Sequence, residues 1–208
     1  MPLVLTLRRA LANGRVWLWL APGLLWAAFC FWYTNTNGPF TSAEIESLTQ
    51  HMESAGAPAE RMGILRRFME TDDGGQFLMV NLLHMADDAD ADANMDRYMA
   101  HMLPALLKRA SHPVLVGSTV NVAMDVAGIQ DAEQWTSVGV VRYRSRRDLL
   151  AIALDPAFST EHDFKLAALA KTIAVPIEPE LYLGDLRLLL LLVYFSVVGV
   201  INGAWRKP

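Results

Sequence analysis

The sequence has one cysteine, Cys30, in 208 residues. No disulfide can close within the chain, so its fold rests on packing alone. It also lacks a basic surplus: 18 Lys and Arg stand against 22 Asp and Glu, a formal net charge of -4. Phosphate backbones need a basic face, so nucleic acid is not an expected partner. Several catalytic signatures are missing too. There is no Gly-x-Ser-x-Gly elbow, no phosphate loop, no haem-attaching cysteine pair and no His-Glu-x-x-His. No internal repeat of solenoid period is present.

What the sequence has in excess is apolar residues, 53% of the chain, and the excess sits at the two ends. Residues 16–33, VWLWLAPGLLWAAFCFWY, carry no charge, and 18 such residues can cross a bilayer as a helix. Arg8, Arg9 and Arg15 precede them. A cleaved signal peptide shares that layout, but TNTNGP offers no small-x-small cleavage site. Phe29 before Cys30 also departs from a lipoprotein signal. The reading is an uncleaved anchor. Residues 186–205, LRLLLLLVYFSVVGVINGAW, have almost none of the polar stripe a core helix keeps, and read as a second span. In it, Gly199-x-x-x-Gly203 would permit close helix contact. Arg206 and Lys207 follow.

Basic residues at both outer ends predict cytoplasmic termini. Residues 34–183, with 12 Lys and Arg against 21 Asp and Glu, then face outward. The expected location is the bacterial inner membrane, with a periplasmic central domain. Five tryptophans, Trp17, Trp19, Trp26, Trp32 and Trp205, fall in or beside the spans, as an interfacial belt requires. The predicted organisation is a cytoplasmic N-terminus (1–15), a span (16–33), a linker with two leading helices (34–75), an α+β domain (76–183), a second span (186–205) and a cytoplasmic C-terminus (206–208).

Within the outward part, Thr41 and Glu44 have capping-box spacing, so a helix should run from there to about residue 54. A second, 60–70, should bury Met62, Leu65 and Phe68. Residues 76–85, QFLMVNLLHM, read as a buried central strand. The next helix should set Met95, Met99, Met102, Leu103 and Leu106 on one face, with Pro104 kinking or dividing it. A strand and loop, or a hairpin, follow over 112–129. A strand at 134–145, a helix closed at Asp155-Pro156, a helix with Ser159 and Asp163 near its start, and a final extended segment complete the order. After the leading helices this is β-α-β-β-α-β, the ferredoxin-like α+β arrangement with helices on one sheet face. The other face needs a cover, and a second copy is the expected one. The leading helices are the alternative.

Two stretches carry a resemblance. FLMVNLLHM followed by a helix bearing Tyr98 and Pro104, and WTSVGVVRYRSRRDLLAIALDPAFSTEHDFKLAALAKTIAVPI, together resemble a bacterial family of unknown function in the dimeric α+β barrel superfamily. The resemblance spans roughly residues 76–177. It implies a dimeric ferredoxin-like fold, in a superfamily that includes cofactor-free monooxygenases, decarboxylases and isomerases. Fold transfers better than reaction. The spans, the leading helices and an Asp-rich loop depart from that pattern.

That loop holds Asp87, Asp88, Asp90, Asp92 and Asp96. Asp88, Asp90 and Asp92 could offer oxygen ligands to calcium, but Ala93 and Met99 stand where an EF-hand needs Gly and Glu. The preferred reading is a solvated connection, with no metal and no cofactor. His51 and His162 read as helix-surface residues. His84 and His101 could meet, with Asp96, in a metal or acid-base cluster. Asn81 is the odd polar residue of its strand and needs partners if buried. A ligand pocket of Asn81, His84, Tyr98, Trp135 and Tyr143 would be mainly apolar with a few polar groups; alternatively the aromatics form a dimer core.

Two functions remain open at this point. One is a membrane-anchored, outward-facing binding or accessory module that dimerises or docks onto a membrane complex. The other is a cofactor-free enzyme acting on a small apolar or aromatic molecule, with Tyr98 and His101 as the candidate catalytic groups.

Overall fold

A computed structural model describes residues 14–205. Its elements in chain order are α1 (Gly14–Tyr33), α2 (Ser42–Ser54), α3 (Ala59–Glu70), β1 (Phe77–Met85), α4 (Ala91–Leu107), β2 (His112–Ser118), β3 (Ser137–Tyr143), α5 (Arg146–Ala153), α6 (Pro156–Ala167), β4 (Leu169–Ile177) and α7 (Leu186–Ala204). They fall into two compact units. One holds residues 35–180, and the other joins the segments before 35 and after 180.

In the larger unit the four strands form one antiparallel sheet in the order β2-β3-β1-β4. β1 and β2 are joined by α4 across the intervening β3, and β3 is joined to β4 by α5 and α6 across β1. Both are split β-α-β units. The domain is ferredoxin-like.

Local chemistry explains most of the boundaries. Thr41 caps α2 as predicted: Glu44 N donates to Thr41 Oγ1 at 3.3 Å, and Thr41 N donates to Glu44 Oε2 at 2.7 Å. α3 follows, with Met69 as its fully buried residue, while Met62, Leu65 and Phe68 are only half-buried. α4 runs unbroken through Pro104 to Leu107. Its buried stripe is Ala91, Tyr98, Met102 and Leu106. Met99 and Leu103, predicted to be core, are 36% and 39% exposed, because the stripe turns toward Tyr98 and leaves them on its flank. α6 starts earlier than expected, at Pro156, with Asp155 Oδ1 accepting from Ala157 N at 3.0 Å. Asp-Pro here opens a helix, with Pro at a position whose N–H is not needed. The residues after Ala167, expected to continue that helix, enter β4 instead.

The core lies on the helix side of the sheet, where Phe77 and Tyr143 pack with Tyr98, Met102, Leu106 and Ile152. A second cluster joins the leading helices to α5 through Ile45, Met52, Met69 and Leu150. The leading helices therefore lean on α5, and they do not supply the cover for the opposite sheet face. Three arginines around α5 tie this layer down. Arg147 pairs with Glu44 at 2.6 Å, Arg146 donates to Phe68 O at 2.6 Å, and Arg144 pairs with Asp148 at 2.8 Å.

β1 is central, as predicted, yet only Phe77 and Leu78 are fully buried and the rest of the strand is half-buried. The reason is the bare face. By alternation it carries Leu78, Val80 and Leu82 of β1, beside Val140 and Val138 of β3 and Ile177, Val175 and Ile173 of β4.

In the other unit α1 and α7 run antiparallel. Tyr194 Oη donates to Trp19 O at 2.9 Å, and Trp26 Nε1 donates to Arg187 O at 2.9 Å. Both helices are long and apolar enough to cross a bilayer, at 20 and 19 residues. Their contact runs past Gly23, whose missing Cβ would sit 3.4 Å from Tyr194 Oη. Gly199 and Gly203 have open space around them, so that motif does not join these two helices. The basic residues Arg8, Arg9, Arg206 and Lys207, used above to predict orientation, lie outside the described residues.

Candidate functional site

The polar interruption of β1 marks the site. Asn81 faces the helix side, two register steps beyond Met79 and Phe77, and stands opposite Gly139. Its Nδ2 donates to Met79 O and Gly139 O, both at 3.2 Å. Its Oδ1 accepts from Lys165 Nζ at 3.3 Å. The amide thus spends both donors on the sheet and turns its oxygen toward α6.

Lys165 is half-buried, and its ammonium lies 5.7 Å from the centroid of the Tyr98 ring. His162, one turn earlier on α6, stacks on Phe158 at 5.1 Å and meets the Tyr98 ring edge-on at 6.2 Å. The Nδ1 of His162 is buried with no hydrogen-bond partner among the described residues. Gly139 leaves open space where a Cβ would lie. Its neighbour in register across β2, Val116, is 75% exposed. The space above the sheet therefore opens toward the β2 edge.

Burial sets the protonation preferences. It pushes the Tyr98 hydroxyl up to about 12 and lowers the Lys165 ammonium. It also lowers His162, helped by the positive charges of Lys165 and Arg61. Tyr143 is raised by burial and then by Tyr98. All four shifts favour the neutral form, as an apolar setting demands. Perturbed groups beside a cleft are where a functional site is expected.

The structure brings Asn81 and Tyr98 together around Lys165. Of the other residues expected to line that pocket, Tyr143 lies near Tyr98 but within the core, and Trp135 and His84 lie elsewhere. Tyr143 stacks on Phe77 at 5.1 Å inside the core. Trp135 precedes β3, so strand alternation does not govern it, and its Nε1 donates to Ala132 O at 2.8 Å. His84 is three residues from Asn81, and alternation sends it to the opposite sheet face. There His84 and Trp135 line a shallow depression of about 280 Å³. His101 borders a different depression, of about 380 Å³, with Lys108 and Asp155. The His84, His101 and Asp96 cluster is therefore not assembled. Asp88 Oδ1 accepts from Asp90 N at 2.9 Å, and both aspartates are exposed, as is Asp92. Among the described residues no group of three His, Cys, Asp or Glu is placed to hold a metal.

Sequence reasoning missed Lys165 and treated His162 as a surface residue. The signal was present but faint: Phe158, His162 and Lys165 recur at spacings of four and three, one face of α6.

Neither a protein-family model nor a curated protein matches the chain. Solved structures do show likenesses. A protein of unknown function from Rhodopseudomonas palustris is 20% identical, with 60% of this chain and 95% of that one covered and a TM-score of 0.48. A dimeric ferredoxin-like protein of unknown function from Jannaschia sp. CCS1 is 14% identical, covering 50% and 100%, with a TM-score of 0.35. A cofactor-independent oxygenase from Streptomyces nogalater is 11% identical, covering 52% and 97%, with a TM-score of 0.34.

Proposed function

We propose that the chain is a membrane-anchored binding module. Two bilayer-length helices hold a ferredoxin-like domain at the outer face of the bacterial inner membrane. That domain pairs with a second copy, or docks onto a membrane complex, through its bare sheet face. It takes a small, largely apolar molecule at the cleft beside Asn81, Tyr98 and Lys165.

The observation that carries the reading is the outward character of the paired helices. Leu24, Leu25, Phe31 and Val200 are 62%, 73%, 71% and 74% exposed. So much contiguous apolar surface in water would drive association or insertion. Hydrocarbon is the environment that suits both helices along their whole length. A carbonate wash of membranes from cells making the full chain tests this. Retention in the pellet and release by detergent are expected, and release into the wash ends the proposal. Protease added to spheroplasts should cleave the central domain, which follows if that domain faces outward.

The sheet face supports pairing. Leu115, Val175 and Ile177 are 56%, 45% and 41% exposed on it. Beside it the loop over 119–136 presents Val120, Val122 and Met124 at 103%, 51% and 88% exposure. A second copy would bury both.

A further inference from the structure

The cleft beside Asn81 is rich in donors and poor in acceptors. Lys165 Nζ gives one hydrogen bond, to Asn81 Oδ1, and has no carboxylate within ion-pair distance among the described residues. An ammonium can donate three hydrogen bonds, so two remain. The Tyr98 ring packs in the core, and its hydroxyl makes no hydrogen bond among the described residues. His162 Nδ1 is buried without a partner among the described residues, and whether it donates or accepts depends on the tautomer. Of the nearby acids, Glu161 pairs with Arg97 at 3.5 Å, and Asp163, beside His162, is exposed. Asn81 Oδ1, turned toward α6, already accepts from Lys165. A half-buried cationic group without a counter-charge is costly. The surroundings are apolar: Met79, Phe158 and Phe164 pack against the core cluster that holds the Tyr98 ring.

We propose that this cleft binds a monocarboxylate with an apolar body, its carboxylate received by Lys165 with Tyr98 as second donor, and its body laid over Gly139 toward the β2 edge. The inference deepens the binding-module reading and rests on it for the site. A carboxylate supplies the missing acceptors and the missing charge together, and charge-assisted hydrogen bonds of this type are the stronger kind. A neutral apolar ligand would leave both donors unpaired. A phosphate would bring more charge than one ammonium offsets in an apolar cleft. Gly139 matters because any side chain there would occupy the space the ligand body needs.

The test uses the full chain in detergent micelles, with benzoate as probe and benzamide as its neutral isostere, titrated by calorimetry. Saturable benzoate binding is expected, with benzamide at least about tenfold weaker. Lys165→Gln should cut benzoate affinity about tenfold or more and narrow the benzoate-to-benzamide ratio toward one, with folding checked by circular dichroism. If Lys165→Gln does not fold, Tyr98→Phe carries the comparison and should weaken benzoate several-fold. Equal affinity for the two probes, no saturable benzoate binding, or a folded Lys165→Gln variant that binds benzoate as before each overturns the proposal. The carbonate wash is read separately, so failure of anchoring and failure of carboxylate binding are distinguishable.

Discussion

Ser145 shows how one side chain sets a helix. It is 1% exposed, accepts from Asp148 N at 3.1 Å, and donates to Asp148 Oδ2 at 2.7 Å. Ser145→Ala removes the cap and leaves Asp148 short of a donor, so denaturant unfolding should show a loss of about 1–2 kcal/mol. Lys165 and Tyr98 act through protonation, with opposite signs. Burial lowers the Lys165 pKa below the ordinary lysine value, so the folded state holds the proton less tightly than the unfolded chain. The penalty is complete below the lowered value and is relieved as pH rises toward the ordinary lysine range. Lys165→Met should therefore raise the Tm at pH 7, and should flatten the stability gain on the alkaline side. Tyr98 is raised from 10.0 to about 12. It costs nothing below pH 10 and destabilises the fold progressively from there to about pH 12, by about 2–3 kcal/mol in all. The difference in phenolate absorbance between wild type and Tyr98→Phe should place the Tyr98 transition near 12. A transition near 10 would show that the ring is solvated.

At the scale of elements, two glycines predict opposite outcomes. Gly74, in the turn between α3 and β1, has φ +79°, and a Cβ there would lie 2.6 Å from Gly38 C and 2.7 Å from Pro39 N. Asn35 Nδ2 bonds Gly74 O at 2.9 Å and Gly38 O at 3.3 Å, which locks the two backbone segments in contact. Gly74→Ala adds a left-handed side chain and a backbone clash, and should cost about 2–4 kcal/mol. Gly63 is exposed within α3 and has nothing near it. Gly63→Ala should stabilise the protein by about 0.5–1 kcal/mol, because alanine loses less backbone entropy on entering a helix. The two variants measured in one denaturation series check whether α3 and its turn are packed as described.

For the whole molecule the deciding question is what covers the bare sheet face. If a second copy does, Val175→Lys in β4 puts a charge into the interface, and Leu115→Lys in β2 does the same on the other edge strand. Light scattering of the full chain in detergent should show a dimer for the wild type and a shift toward monomer for the double variant. Circular dichroism should stay unchanged, because both positions are exposed in the single chain. A dimer that persists through both substitutions would assign the pairing to another surface, the helix pair α1 and α7 being the first to try.

Much of the architecture was legible in the sequence because it depends on local rules. The charge-free run of 16–33 and the long apolar stretch of 186–205 identify bilayer-length helices from composition alone. Thr41 and Glu44 announce the start of α2 because a cap needs only its own turn. The order of strands and helices is enough to propose a ferredoxin-like sheet. The two-residue period of a strand separates Asn81 from His84, although the sequence reading put both in one pocket. What only the tertiary structure decided is which side chains from distant elements meet. Lys165 lies 84 residues from Asn81 in sequence, and no local pattern links a lysine on α6 to an amide on β1. The fold sets them 3.3 Å apart. It also moved Trp135 away from the pocket, by starting β3 three residues later than expected, and left the central strand half-exposed. Burial of a particular face depends on what packs over it, and that is settled only when the whole chain, with whatever covers its sheet, has come together.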